Sequence, residues 1–338
     1  MGKHRDGSAA RRSFQAIPRL SLIAPSTPIE RCGFLRRALP GAPEIYIKRD
    51  DFQSFFCGGN KLRKLEYIMA DVLRSGATTV ITVGGIHSNH ARITAQVTRS
   101  LGLKCVLVLN GGEPARESGN YLVDRRLGIE IHHVADRADR EPAMEDTARS
   151  LEAKGERVYR IPLGSSNELG SLGLTAAFDE ILGQQHAMGV SFGTIVVSSS
   201  SGGTQAGLEV GKRVFGAEGV RILGISPDDP AERIKANILK AMVPMLETLG
   251  LATGGGEIPL DVDDAYVGKA YGVPSPESEE ASRLFAEEGG ILLDPVYTAK
   301  AAAALLAYCR QGRLDPSQRV LFWHTGGLLN LFEEHGES

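Results

Sequence analysis

The stretch Thr194-Ile195-Val196-Val197-Ser198-Ser199-Ser200-Ser201-Gly202-Gly203-Thr204-Gln205-Ala206-Gly207 decides the fold class. Its first four residues are β-branched and read as a short buried strand; a Ser/Gly run breaks that pattern, and a helical pattern follows over 204–214. A strand running into a glycine-rich turn and then a helix is the building unit of parallel sheets covered by helices. The same order recurs at 79–92 and at 320–331. Further strand patterns stand at 44–48, 105–109, 130–134, 158–161 and 222–226. Helical patterns alternate with them at 61–75, 89–101, 144–154, 174–188, 276–288 and 298–311. The expected class is α/β. In open α/β sheets ligands bind beyond the carboxyl ends of strands, so the three strand–turn–helix junctions are where a site is expected.

The length of 338 residues favours two domains, or one large α/β unit with an insertion. No low-complexity linker separates two halves, so a second domain is expected as an insertion. Glycine is in surplus, at 40 residues, and much of it stands in doublets at element ends: Gly58-Gly59, Gly84-Gly85, Gly202-Gly203, Gly289-Gly290 and Gly326-Gly327. Tight turns and close approach of a ligand to the main chain both call for glycine. A net charge of −3 with no block of basic residues argues against nucleic acid and leaves a small molecule as the expected partner. Apolar stretches such as 301–309 are far shorter than the run of about 20 that crosses a bilayer. Residues 1–12 are basic with no apolar signal core after them and read as a flexible tail. Cys32, Cys57, Cys105 and Cys309 lie far apart without a Cys-x-x-Cys pair; Cys57 reads as core packing, and a reducing cytoplasm is expected.

Around Gly58-Gly59-Asn60-Lys61-Leu62-Arg63-Lys64-Leu65-Glu66, Lys61 stands at a helix start, beside the positive end of the helix dipole. Poor solvation there would keep its amine neutral and able to form an imine with a carbonyl; the other reading is a surface capping motif with solvated lysines. In Val83-Gly84-Gly85-Ile86-His87-Ser88-Asn89-His90, Ser88 and Asn89 open a helix whose free N–H groups suit a carboxylate or phosphate, or they are a plain N-cap. His87 and His90 lack a third ligand at helical spacing, and no metal site is expected. Turn 198–204 is suited to one phosphate monoester, or is a turn without a ligand. It matches neither the dinucleotide Gly-x-Gly-x-x-Gly order nor a P-loop. Tyr271, Tyr297, Thr298 and Thr325 place two phenols and two neutral hydroxyls at element ends.

Taken in order, Lys48-Arg49-Asp50-Asp51, the 58–66 segment, Ser88-Asn89-His90, Ser166-Asn167-Glu168-Leu169-Gly170, Asp294-Pro295-Val296-Tyr297-Thr298 and His324-Thr325-Gly326-Gly327 resemble a known family over residues 18–332. It is the 1-aminocyclopropane-1-carboxylate deaminase/D-cysteine desulfhydrase family of pyridoxal-phosphate enzymes, with the two-domain, tryptophan synthase β-like fold (fold type II). The resemblance implies a larger cofactor domain formed by 1–63 and 170–338, a smaller inserted domain at 64–169, and a homodimer. It implies that Lys61 binds pyridoxal 5'-phosphate covalently and that its freed amine removes the substrate Cα proton. Asn60 would meet the ring hydroxyl. Ser201, Gly202, Gly203 and Thr204 would hold the phosphate, and Thr298 and Thr325 would lie beside the ring. Ser88, Asn89 and His90 would take the substrate carboxylate, with Ser88, Tyr271 and Tyr297 as catalytic groups.

Ring-opening deaminases of that family carry a glutamate where this chain has Thr298 and a leucine where it has Thr325. A neutral hydroxyl beside the pyridine nitrogen makes a weaker electron sink than a carboxylate there. The resemblance therefore implies α,β-elimination from a small β-substituted amino acid, as in D-cysteine giving pyruvate, ammonia and sulfide. The alternatives are ring-opening deamination of aminocyclopropane carboxylate, elimination from cysteate or a β-hydroxy amino acid, and a non-catalytic cofactor carrier or ligand sensor. His87 replaces a usual glutamine, Ser165 and Ala299 replace glycines, and Leu328-Leu329-Asn330 departs from the family run. His87 is a proton donor to the leaving group, a binder of a second anionic group, or a histidine held by its neighbours.

Overall fold

The computed structural model describes residues 7–23, 26–53, 55, 58–253 and 258–333; Cys57 lies outside them. Among the described residues ten strands form two sheets. One holds six strands: β1 (Ile29–Arg31), β2 (Glu44–Arg49), β7 (Thr194–Ser198), β8 (Arg221–Ile225), β9 (Asp261–Asp263) and β10 (Arg319–His324), in the order β1-β2-β10-β7-β8-β9. The other holds β3 (Thr79–Gly85), β4 (Lys104–Asn110), β5 (Glu130–Val134) and β6 (Val158–Ile161), in the order β5-β4-β3-β6. Every pairing is parallel except β1 with β2. Parallel strands need crossovers, and helices supply them. All eight expected strands are present, to within two residues at either end; β1 and β9, three residues each, are additional and lie at the sheet edges.

The helices are α1 (Gly7–Gln15), α2 (Gly33–Ala38), α3 (Gly59–Ser75), α4 (Asn89–Ser100), α5 (Gly119–Arg126), α6 (Arg140–Ala153), α7 (Glu168–Met188), α8 (Gly203–Val214), α9 (Ala231–Leu249), α10 (Pro276–Gly289) and α11 (Thr298–Arg310). Several boundaries have local causes. The Asn167 side chain accepts the Gly170 N–H at 2.8 Å to start α7, and Ser275 with Pro276 starts α10. Gly76, Gly189 and Gly290 end α3, α7 and α10 in the left-handed conformation. Helix α11 is Ala-rich and buried on almost every side.

Three expectations are corrected. The reading of 1–12 as a flexible tail fails from Gly7 onward, because Ala10 and Phe14 are buried and Phe14 packs on Tyr67 and Phe215 at ring separations of 6.2 and 6.0 Å. Helix α9 is absent from the helical patterns read in the sequence, and Pro244 falls inside it. Ile234, Ile238, Ala241, Met245 and Leu249 nevertheless line one buried face, and the hydrogen bond that Pro244 cannot donate concerns the carbonyl of the exposed Lys240. After β10 the chain makes only a short 3₁₀ turn, Leu328–Phe332, in place of a helix.

Candidate active site

A cleft opens at the carboxyl ends of β3 and β7 and beside the turn after β10, bringing together residues from both sheets. The first turn of α3 enters it by a tight backbone fit. Gly59 has φ 63°, and a Cβ there would lie 2.4 Å from the Thr325 carbonyl oxygen. The Asn60 N–H donates to that same carbonyl at 3.0 Å. Glycine is therefore required where the two segments meet, and this contact delivers Asn60 and Lys61 to the cleft. Burial depresses the Lys61 ammonium to about 8, and no carboxylate forms an ion pair with it among the described residues. Lys64, one turn on, is fully buried; its ammonium donates to the Gly164 carbonyl at 3.0 Å and to Ser166 Oγ at 2.8 Å, both neutral. Desolvation and the neighbouring Lys61 push its proton affinity far down.

The turn after β7 curls around the opposite side. Gly202 has φ 80°, and a Cβ on it would come within 2.7 Å of the Ile238 N–H nitrogen on α9. A Cβ on Gly203 would lie 2.8 Å from the Lys64 ammonium, so the start of α8 and this cation share one corner. Asn60 Nδ2 donates to Thr204 Oγ1 at 2.9 Å, and the Ser166 and Ser201 hydroxyls bond at 2.7 Å. The hydroxyls of Ser198 and Ser199 and Oδ1 of Asn110 line the cleft without a hydrogen-bond partner among the described residues. A helix start, a cluster of hydroxyls with unmet capacity and a buried unpaired lysine form a cradle that suits a phosphate. Its residues fit pyridoxal phosphate: Ser201, Gly202, Gly203, Thr204 and Lys64 could hold the phosphate, Asn60 and Thr325 could meet the ring, and Lys61 could bond its aldehyde.

On the far wall Ser88 caps α4, its oxygen accepting the Ala91 N–H at 3.2 Å; Gly84 makes room for it, since a Cβ there would sit 2.7 Å from Ser88 Cβ. Asn89 lines the cleft beside it, its Oδ1 accepting from Asn120 at 3.0 Å. Tyr271 and Tyr297 close the mouth, their hydroxyls 2.5 Å apart. Desolvation raises both phenols, that of the partly exposed Tyr271 to about 12, so both are neutral acids near pH 7.

The cleft gathers Lys61, Ser88, Asn89, Tyr271, Tyr297, Asn60, Ser201, Gly202, Thr204 and Thr325 from six separate segments. Two expected residues have other duties. Thr298 does not line the cleft: its hydroxyl donates to Asp294 Oδ1 at 2.7 Å, and its own N–H reaches the same oxygen at 2.8 Å, because Asp294 caps the start of α11. His90 reaches the cleft wall but both ring nitrogens are engaged. The Thr82 hydroxyl donates to the Ile161 carbonyl and so accepts from His90 Nε2 at 2.8 Å, while Nδ1 faces Ser165 Oγ at 3.2 Å. Burial keeps this imidazole neutral. His87 is turned away from the cleft toward the buried Glu333 carboxylate, with Nδ1 3.1 Å from Oε2. Lys64, Arg137, Arg140 and Asp228 were not singled out from sequence; a second lysine at i+3 on the same helix face was the one available sign of Lys64.

Parallel sheets with a phosphate cradle, and a desolvated lysine between them, define a pyridoxal-phosphate enzyme of fold type II. The pyridoxal-phosphate dependent enzyme family matches residues 20–326, and the chain belongs to it. A D-cysteine desulfhydrase of Yersinia enterocolitica is 39% identical over 94% of this chain and 96% of its own. A Pyrococcus furiosus protein provisionally named 1-aminocyclopropane-1-carboxylate deaminase is 39% identical over 94% of both chains. Among solved structures, an ACC deaminase homologue superposes with a TM-score of 0.87 at 36% identity, covering 98% of this chain and 97% of the other. No described helix is long and apolar enough to cross a membrane.

Proposed function

We propose that this enzyme is a lyase that catalyses α,β-elimination from a small β-substituted amino acid, in the manner of D-cysteine desulfhydrase, releasing pyruvate and ammonia. The observation that carries it is the pairing of a neutral-prone amine, Lys61, with the two neutral phenols of Tyr271 and Tyr297 in one cleft. Elimination needs a base at Cα and an acid at the β substituent, and these are one of each. Bound pyridoxal phosphate supplies an electron-withdrawing ring that makes the substrate's Cα–H acidic. The open N–H groups at the start of α4, with Ser88 and Asn89, orient the substrate carboxylate. Lys61 takes the α-proton and the tyrosine pair delivers a proton to the departing group. Thr325 offers the ring a neutral hydroxyl, which suits departure of a stable anion more than the opening of a carbon ring.

This reading divides the chain at 1–63 and 170–338 against 64–169, a division supported by the separate sheet of β3 to β6. It places the enzyme in the cytoplasm as a homodimer, by analogy with its family. The test is a keto-acid assay on holoenzyme with both enantiomers of cysteine and with aminocyclopropane carboxylate. Pyruvate and sulfide from cysteine are expected, with a visible cofactor band that borohydride abolishes. Lys61→Ala should lose that band and at least about 10⁴-fold in rate. Production of 2-oxobutyrate from aminocyclopropane carboxylate without sulfide from cysteine would reverse the assignment.

A further inference from the structure

Two departures from the family pattern, His87 and Asn330, meet at one buried side chain that the chemistry above does not use. Asn120, in the first turn of α5, is fully buried. Its Oδ1 accepts from Arg92 Nε at 3.1 Å; a guanidinium can only donate, so the orientation of this amide is settled and its NH2 end faces the other way. There Nδ2 meets the His87 carbonyl at 3.1 Å, Asn89 Oδ1 at 3.0 Å, Asn330 Oδ1 at 2.5 Å and Glu333 Oε1 at 3.5 Å, all acceptors. The first two bracket Ser88 in sequence. The last two come from the 3₁₀ turn after β10, a strand of the other sheet, and from the residue that follows that turn.

This turn is pressed onto α5. Gly119 has φ 51°, and a Cβ on it would lie 2.4 Å from Glu333 Cγ and 3.1 Å from the Leu329 carbonyl oxygen. The second oxygen of the buried Glu333 carboxylate lies 3.1 Å from His87 Nδ1. Residues 87–89, the start of α5 and the turn after β10 thus form one clasp between the two sheets. Its polarity has a consequence in the cleft. Asn89 gives its carbonyl oxygen to Asn120, which leaves its NH2 end for the cleft that it lines. A carboxylate accepts and cannot donate. Turned over, the same amide would set an oxygen lone pair against the anion. The two ends of an amide have nearly the same shape, so Asn89 does not select its own orientation; the donor that faces it does.

We infer that Asn120 is a positioning residue for the substrate carboxylate. Held by Arg92 and clasped by Asn330 and Glu333, it fixes the Asn89 amide with its N–H bonds toward the substrate. This rests on the reading that Ser88 and Asn89 receive the carboxylate, and is independent of which group leaves the β carbon.

The test titrates holoenzyme with a matched pair of amines, alanine in both enantiomers and ethylamine, which lacks the carboxylate, and reads the change in the visible cofactor band at equilibrium. Wild type should bind one enantiomer of alanine more tightly than ethylamine. Asn120→Asp keeps the shape and reverses the donor, so that the Asn89 amide turns over. Alanine should then bind about 10- to 100-fold more weakly, while ethylamine changes less than about 3-fold. Asn120→Ser removes the constraint without reversing it, and Asn330→Ala opens the clasp; each should cost alanine about 3- to 10-fold, and the two carry the same comparison should Asn120→Asp fail to fold. On an Asn89→Ala background Asn120→Asp should cost less than about 2-fold more, because the amide through which it acts is gone. Equal losses on alanine and ethylamine, or the full loss on top of Asn89→Ala, overturn the inference and make Asn120 structural. Unchanged alanine binding in both Asn120 variants overturns it as well. If alanine binding follows the expected pattern while no keto acid is released from any substrate, the elimination reading falls and the role of Asn120 stands.

Discussion

Helix α3 carries two clusters of buried charge within one turn of each other, and only one of them balances. Arg63 donates to Asp50 at 2.7 and 2.8 Å and to Glu180 at 2.9 Å; Lys48 meets Glu180, and Asp50 also accepts from Thr27 at 2.8 Å and from Trp323 at 2.9 Å. Every charge in that group has an opposite partner, and the group ties β2, α3, α7 and β10 together. Lys61 and Lys64, on either side of Arg63 in sequence, face neutral atoms and each other. A satisfied buried charge is structural, because its interaction is complete within the chain. An unsatisfied one costs stability and persists where a ligand completes it.

The contrast can be broken from the paired side with the largest effect. Asp50→Ala leaves the buried Arg63 and Lys48 to share the single carboxylate of Glu180 and should cost about 3–5 kcal/mol of stability, read as a fall in the urea midpoint at constant slope. A smaller effect should come from pH. In cofactor-free protein the Lys61 proton is bound more tightly in the unfolded chain, where the amine has its ordinary value of 10.5, than in the fold (about 8), so stability should rise as pH climbs through that window. The rise should reach about 2–3 kcal/mol and be missing from Lys61→Ala, by denaturant titration at pH 7.5 and 10. The smallest change is expected from Lys64→Met. It should leave cofactor-free stability equal or slightly higher and weaken cofactor binding about 10- to 30-fold in absorbance titrations. A large loss of cofactor-free stability would show that Lys64 is structural after all.

The glycine doublets show where sequence and tertiary structure part company. That Gly59 and Gly202 mark special backbone was legible from their places at the ends of strand and helix patterns. That Gly59 is pressed against Thr325, and Gly202 against α9, was not, because the partners lie far away in sequence. Likewise Asp294, Thr298 and Tyr297 sit in one motif. Only the capping geometry turns the Thr298 hydroxyl inward, leaving Tyr297 and the distant Thr325 to face the cleft.

By itself the sequence determined the strand–turn–helix order, the parallel α/β class and the lysine at a helix start, since these follow from local periodicity and turn chemistry. Tertiary structure alone decided which charges are paired. It folded residues 7–15 onto the body through Phe14, buried both nitrogens of His90, and set Lys64 beside the start of α8 and Arg140 in the mouth of the cleft. Desolvation and ion pairing depend on groups brought together across the whole chain, and no local pattern encodes them.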